Sequence, residues 1–382
     1  MPWTTRDLMN LRHEFIELAT REGANRRELC RRFGISPKTG YALLARYAVE
    51  GEAALQDRSR RPLTSPTQTD ATLEAAVLAL RREHPAWGGR KISRRLSDLG
   101  HQNVPAPSTV TAILHRHHLI TPEASEASTP WHRFEHAQPN ELWQIDFKGH
   151  FETLTSRCHS LTLLDDHSRF NLTLSACART DTPTVQQHLI TVFRRYGLPL
   201  RINADNGTPW GCPSQPSNDI TALTLWLIRL GVRVSHSRPY HPQTNGKEER
   251  FHRTLQAEVL TGRSFTDLAH VQTAFDHWRE TYNHERPHEA IGLDTPIRRY
   301  RTSERFYPES LPEIEYGPDD QVVTVGWDGK VVFKGRRFRV SNALLKLPLA
   351  FRPAPGQEGL YHAYFCHQRI MEADFRQPPA TV

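Results

Sequence analysis

The sequence predicts a multidomain protein with all-α modules first, an α/β layer domain next, and a small all-β domain last. Three observations carry this. Apolar residues recur at helical spacing up to about residue 120. From residue 142, short apolar runs alternate with helical stretches, the pattern of a layered α/β domain. Beyond residue 314 only short runs separated by turn residues remain. At 382 residues the chain exceeds one ordinary domain.

The first module covers 1–57. Leu8, Leu11, Phe15 and Leu18 give an amphipathic helix, and Asn25 can cap a second helix through Phe33. Gly34-Ile35 makes a tight turn, and Ser36 caps a third helix through Tyr47. Helix, glycine turn and capped helix form a helix-turn-helix pattern, whose last helix enters the major groove of DNA. Leu29, Ile35, Leu43 and Leu44 would hold the pair together. Ser36, Pro37, Lys38, Thr39 and Tyr41 are then the candidate DNA contacts.

A basic linker, 58–69, offers Arg58, Arg60 and Arg61, which suit either a phosphate backbone or a solvated connector. A second helical module, 70–120, has one apolar face of Leu73, Val77 and Leu80, then a turn at His84–Gly89 and a basic helix. Another helix starting at Pro107-Ser108 gives a winged-helix-like DNA-binding unit, with Arg90 and Lys91 as candidate contacts. Residues 121–140, rich in Pro, Glu, Ser and Ala, form a linker that could span roughly 25 Å if flexible.

The α/β domain covers 141–300. Strands are expected at 142–147, 160–165 and 171–176, then a helix at 184–196 stopped by Gly197. A strand at 200–204, a helix at 219–230, a strand at 232–235 and helices at 243–260 and 265–283 follow. Three strands followed by alternating α and β is the ribonuclease-H-like arrangement. In 314–376, runs at 322–325 and 330–333 flank Trp327-Asp328-Gly329, a hairpin signal. Further short strands at 336–340, 345–351 and 360–365 suggest a small SH3-like β-barrel. Its Lys334, Arg336, Arg337 and Arg339 suit either nucleic acid or a solvated face.

Net charge is +7, and residues 1–66 hold 12 Lys/Arg against 8 Asp/Glu, so more than half the excess lies there. That favours a polyanionic partner without proving one. Cys30, Cys158, Cys177, Cys212 and Cys366 show no CxxC spacing, which argues against a disulfide framework or zinc knuckle. His115, His117 and His118 lack a nearby Cys pair and read as a polar helix end. No apolar run approaches membrane-spanning length, so a soluble intracellular protein is expected.

Three acids stand out. Asp146 follows Leu142-Trp143-Gln144-Ile145, Asp205 opens Asp205-Asn206-Gly207, and Glu249 sits three residues past Gly246 in a helical stretch. Two carboxylates leaving strands and one on a helix can share a pair of Mg²⁺ ions for phosphoryl transfer. These blocks resemble the three acids of the DDE transposases and retroviral integrases. Carrying the resemblance are Trp-Gln-Ile-Asp-Phe-Lys-Gly, Asp-Asn-Gly-Thr-Pro-Trp and His-Pro-Gln-Thr-Asn-Gly-Lys-Glu-Glu-Arg-Phe-His-Arg. Tyr282-Asn283, Arg286-Pro287-His288 and Thr295-Pro296 resemble the close of that core. With two helical modules in front and a small barrel behind, the chain is similar to bacterial insertion-sequence transposases.

The resemblance implies a polynucleotidyl transferase that binds the terminal inverted repeats of its element, nicks the ends and joins their 3′-hydroxyls to target DNA. It implies Asp146, Asp205 and Glu249 as catalytic acids holding two Mg²⁺ (or Mn²⁺) ions per site. Glu248 competes for the third place, and the family register selects Glu249. Asp205 and Glu249 are separated by 43 residues, more than the family usually has, and the surplus fits an inserted loop at 211–218. Asp165 and Asp166 are expected to shape a turn. Asn206, Gln243, Asn245, Lys247 and Arg253 lie near the acids and are candidates for positioning DNA. The partners implied are double-stranded DNA and further copies of the chain, as a homodimer or higher, in the cytoplasm or nucleoid with no membrane. A ribonuclease-H-like nuclease and a silent DNA-binding regulator are the alternatives.

Overall fold

A computed structural model describes residues 8–58, 68–120, 135–211, 220–236 and 246–376. The chain divides into two compact units, Met1–Gln68 and Thr69–Val382.

In the first unit, α1 (Leu8–Ala19), α2 (Arg26–Arg32) and α3 (Pro37–Glu50) are followed by a 3₁₀ turn, Gly51–Leu55. Phe15, Ile16, Ala19, Cys30 and Leu55 form its core, with Leu29, Ile35, Leu43 and Leu44 packed against it. Asn25 caps α2 by accepting from Glu28 N at 3.1 Å. Ser36 caps α3 by accepting from Thr39 N at 3.1 Å, which satisfies amide donors the helix start leaves open. Helices α2 and α3 meet at Gly40, where a Cβ would lie 2.5 Å from Cys30 Sγ. This is the helix-turn-helix the sequence predicts.

The second unit opens with α4 (Ala71–Glu83), α5 (Gly89–Asp98) and α6 (Pro107–Arg116). Val77, Leu80, Trp87, Ile92, Leu96, Val110, Ile113 and Leu114 close their core. No strand accompanies them among the described residues, so the module is three-helical rather than winged. Gly89 sits where α5 crosses α6, and a Cβ there would come within 2.4 Å of the Pro107 carbonyl. The end of the expected linker belongs to the next domain. His136 N donates to Asp166 Oδ2 at 3.0 Å, and Asn140 N to Asp165 Oδ2 at 2.7 Å.

The α/β core is a five-stranded sheet in the order β3-β2-β1-β4-β5. Its strands are β1 (Trp143–Glu152), β2 (Arg157–Asp165), β3 (Asn171–Cys177), β4 (Arg201–Ala204) and β5 (Arg233–His236). The first three pair antiparallel, and β1–β4 and β4–β5 pair parallel. Helices α7 (Thr182–Tyr196) and α8 (Ala222–Arg229) cover one face, where Trp143, Ile145, Leu161 and Leu163 meet Leu189, Phe193 and Trp226. Across the sheet lie α9 (Gly246–Leu255), its π-helical continuation Gln256–Leu260, and α10 (Leu268–Glu280). There Leu164 and Leu174 meet Phe251, Leu255, Phe275 and Trp278. A π turn, Thr281–Glu285, and α11 (Pro296–Arg299) complete the domain. This is the ribonuclease-H-like arrangement the sequence predicts.

The C-terminal strands form two open sheets, not a closed barrel. Strands β6 (Gln321–Thr324), β9 (Pro348–Pro353), β10 (Leu360–Phe365) and β11 (Gln368–Asp374) build the first, in the order β11-β10-β9-β6. Strands β7 (Lys330–Phe333) and β8 (Arg336–Arg339) build the second. The expected hairpin across Asp328-Gly329 is not a ladder, because β6 pairs with β9 and β7 with β8. The hairpin turn is Lys334-Gly335, with φ of 46° and 75°, matching the twist of a two-residue connection. Strand β11 was not anticipated. Phe333, Phe351 and Phe365 share one core with Leu225 and Ile228 of α8, which seats this region on the α/β domain.

Candidate active site

The β1–β4 ladder positions the first two acids. Trp143 pairs with Ile202 and Gln144 with Asn203, so the same register carried on two residues sets Asp146 beside Asp205. Adjacent strands lie about 4.8 Å apart. Asp146 Oδ1 accepts from Phe147 N at 2.8 Å, and Asp205 Oδ1 from Gly207 N at 3.0 Å, so backbone amides orient both carboxylates. His236, at the end of β5, lies 2.9 Å from the Asp205 carbonyl through Nδ1.

Helix α9 supplies the third. Its face toward the sheet is Glu248, Phe251 and Leu255, at helical spacing. Glu249, about 100° around the axis, is exposed at the rim. Burial, then Asp205, then Glu249 push the Asp146 carboxyl up to about 7. Both other acids therefore act on Asp146, and no cationic side chain is among the groups that set it. Crowded carboxylate oxygens of this kind fit a hard divalent cation such as Mg²⁺ or Mn²⁺, which would relieve the repulsion. Among the described residues no three such ligands already stand at metal-cage spacing.

Glu248 has a different environment from its neighbour. It is 1% exposed, and its Oε2 lies 2.9 Å from Thr162 Oγ1. Thr162, the cross-strand partner of Asp146, also lies 2.9 Å from His252 Nε2 and 3.1 Å from the Asp146 carbonyl. Burial, reinforced by Asp146, holds the Glu248 carboxyl well above its usual range. Burial, with Lys148, pushes His252 down to about 4. Burial thus favours the uncharged form of the acid, and the imidazole is neutral at pH 7. Sequence reasoning missed Thr162 and His252. The Glu248–His252 spacing of one helical turn and the β1–β2 register were the available signals.

The remaining candidates divide. Lys247 points back to the buried Asp166 carboxylate rather than outward. Asp166 also accepts from Gln144 Nε2 at 2.9 Å. Asp165 accepts from Ser168 N at 2.8 Å, the turn-shaping role expected of it. Arg253 and its neighbour Arg250 are exposed on α9, and Asn206 is exposed beside Asp205. Pro37, Lys38, Thr39 and Tyr41 are exposed on α3, whereas the Ser36 hydroxyl is engaged in the cap. Arg58 pairs with Glu50. Arg90 is exposed, while Lys91 is half-buried toward Arg286, and burial lowers its ammonium to about 8. Arg60, Arg61, Gln243 and Asn245, with most of the inserted loop, lie outside the described residues.

The Tyr282-to-His288 motif is a brace rather than a part of the acid cluster. Asn283 Oδ1 accepts from Asn171 N at 2.8 Å, and its Nδ2 donates to Asn171 O at 2.9 Å. Arg286 Nε donates to Glu258 Oε1 at 3.1 Å, and Trp278 Nε1 to Glu258 Oε2 at 2.8 Å. The end of α10 is thereby pinned both to β3 and to the turn that continues α9.

Residues 136–242 and 230–296 match models of the integrase core domain and together take in Asp146, Asp205 and Glu249. The C-terminal domain of the IS481 family transposases matches 320–381. The chain thus carries an integrase core domain followed by the C-terminal domain of IS481 family transposases. A helix-turn-helix domain matches 12–62 and a homeodomain-like domain 39–114. An uncharacterized 31.7 kDa protein of insertion element IS407 from Burkholderia multivorans is 28% identical over 158 residues, 41% of this chain and 54% of that one. An uncharacterized 39.2 kDa protein of insertion element IS476 from Xanthomonas euvesicatoria is 25% identical over 263 residues, 66% and 72% of the two chains. The chain thus spans about half the length of the first relative and nearly three quarters of the second. Among solved structures, a simian T-cell lymphotropic virus intasome is 16% identical, with a TM-score of 0.36 over 72% of this chain and 97% of that one. The HTLV-2 integrase catalytic core in complex with magnesium is 16% identical, with a TM-score of 0.31 over 43% and 99%.

Proposed function

We propose that this protein is a DNA transposase that binds the terminal inverted repeats of an insertion sequence, nicks its ends and joins the 3′-hydroxyls to target DNA. The observation that carries the reading is the convergence of Asp205 and Glu249 on Asp146, felt in its raised pKa. Asp146 with Asp205, and Asp146 with Glu249, are the pairs that would hold two Mg²⁺ or Mn²⁺ ions. Such ions supply activation of the attacking oxygen and stabilisation of the leaving oxygen. The chain's own part is placement: backbone amides orient two acids, and Arg250 and Arg253 offer charge to phosphates beside the third. Units 1–57 and 70–120 bind DNA, 141–300 does the chemistry, and 314–376 supports it. Two ends must be joined with one acid cluster per chain, so copies act together, in the compartment that holds the DNA.

The test uses the full chain, duplexes copied from the ends of its own element, and Mg²⁺, Mn²⁺ or EDTA. A metal-dependent nick leaving a 3′-hydroxyl, followed by a joined product, is expected. Unspecific nicking without joining would mark a ribonuclease-H-like nuclease. End binding with no nick under any metal would mark a silent regulator.

A further inference from the structure

Helix α5 carries four basic residues in six, Arg90, Lys91, Arg94 and Arg95, and reads as a DNA-facing helix on sequence alone. Three of the four are turned to the core instead. Arg95 Nη2 donates to Glu285 Oε2 at 2.5 Å. Arg94 donates through Nη2 to Asp294 Oδ1 at 2.9 Å and through Nε to Asp98 Oδ1 at 3.1 Å. Asp98 in turn accepts from Arg298 Nη2 at 3.3 Å. Lys91 faces Arg286, Glu258 and Glu289. All the core partners of Arg94, Arg95 and Asp98 fall in one stretch after α10, from the π turn through α11.

That stretch is a firm base. Asn283 ties it to β3, and Arg286 ties it to Glu258 in the π turn that continues α9, the helix that bears Glu249. Helix α6, by contrast, leaves Pro107, Ser108, Thr109, Ala112 and His115 exposed. The contacts across the interface are ionic, which gives orientation more than affinity.

We propose that α5 is a docking helix, not a DNA-reading one: through Arg94, Arg95 and Asp98 it seats the second helical module on the catalytic core. Helix α6 is then the face that meets DNA, and the ionic interface sets the distance from the bound end to the acid cluster. The nick position is measured by this interface, a consequence that rests on the transposase reading above.

The test is charge reversal in the full chain. Arg95→Glu, Glu285→Arg and the double swap are compared by hydrogen exchange of 89–98 and 281–299, and by mapping the nick on an element-end duplex. Each single variant should exchange faster at both segments, bind the end within about threefold of wild type, and nick at least tenfold slower or at scattered positions. The double swap should restore protection and the single nick site. Single variants with wild-type exchange and wild-type nick position overturn the proposal, as does a double swap that restores neither. If the wild-type chain makes no nick, the transposase reading falls, and the exchange data still decide whether α5 docks.

Discussion

Asp205 and Glu249 each repel the Asp146 carboxylate, since both raise its pKa. Asp146→Asn, Asp205→Asn and Glu249→Gln should each lower nicking and joining by on the order of 10³-fold or more, as when one member of a group acting together is removed. End binding, followed by gel shift, should stay unchanged. Glu248→Gln should remain active, because burial favours the uncharged form of this acid and the amide matches it in shape. An inactive Glu248→Gln beside an active Glu249→Gln would reassign the third acid. Thr162→Val keeps the shape of the side chain but removes the hydroxyl that joins Glu248, His252 and the Asp146 strand. A loss of about 10-fold in nicking rate is expected, the scale for groups that orient metal ligands, with a melting temperature near wild type. A full-rate variant would show that the network is only packing.

Two elements meet at Gly89, and no side chain fits between α5 and the Pro107 carbonyl. Gly89→Ala should therefore destabilise the second unit by about 1–3 kcal/mol, read as a lowered melting temperature, despite the better helix propensity of Ala. Lys91 makes a pH prediction. Its folded pKa, about 8, lies below the 10.5 of a solvated lysine, so the unfolded chain binds more protons between those values and stability rises with pH across that window. Lys91→Met should be more stable than wild type at pH 7, with an advantage that shrinks from about pH 8 to pH 10.5. A constant advantage would place Lys91 in solvent. The helices of the first unit were legible because Asn25, Ser36 and Gly34 are local signals of caps and turns. The acid cluster was legible for a similar reason: Asp146 lies in an apolar strand, Asp205 directly follows one, and Glu249 sits in the first turn of a helix. What sequence missed is long-range. Nothing local tells β6 to pair with β9 across 24 residues rather than with β7, and nothing local turns Lys247 inward to Asp166. The role of Arg94 and Arg95 depends on Asp294 and Glu285, about 200 residues away. Basic residues on a helix look alike whether they face phosphate or carboxylate.

At the scale of the whole molecule, the division falls between Met1–Gln68 and Thr69–Val382, not between the N-terminal modules and the core. The second helical module is bound to the core by Arg94, Arg95 and Arg298. Residues 135–140 of the connection behind it are likewise hydrogen-bonded to that core. The first helix-turn-helix is a compact unit with its own apolar core. If copies share work on two DNA ends, the first unit is the part able to serve a partner's acid cluster, while the second stays with its own. A chain carrying Glu249→Gln should therefore be complemented by one lacking residues 1–68, since the first supplies end binding and the second an intact acid cluster. Nicked ends should appear on mixing and be absent from either protein alone. Deleting residues 1–120 should complement poorly, because it strips the core of its docked module. Equal rescue by the two deletions would mean that the second module also works in trans. No product at any mixing ratio would mean that each chain binds and cuts the same end.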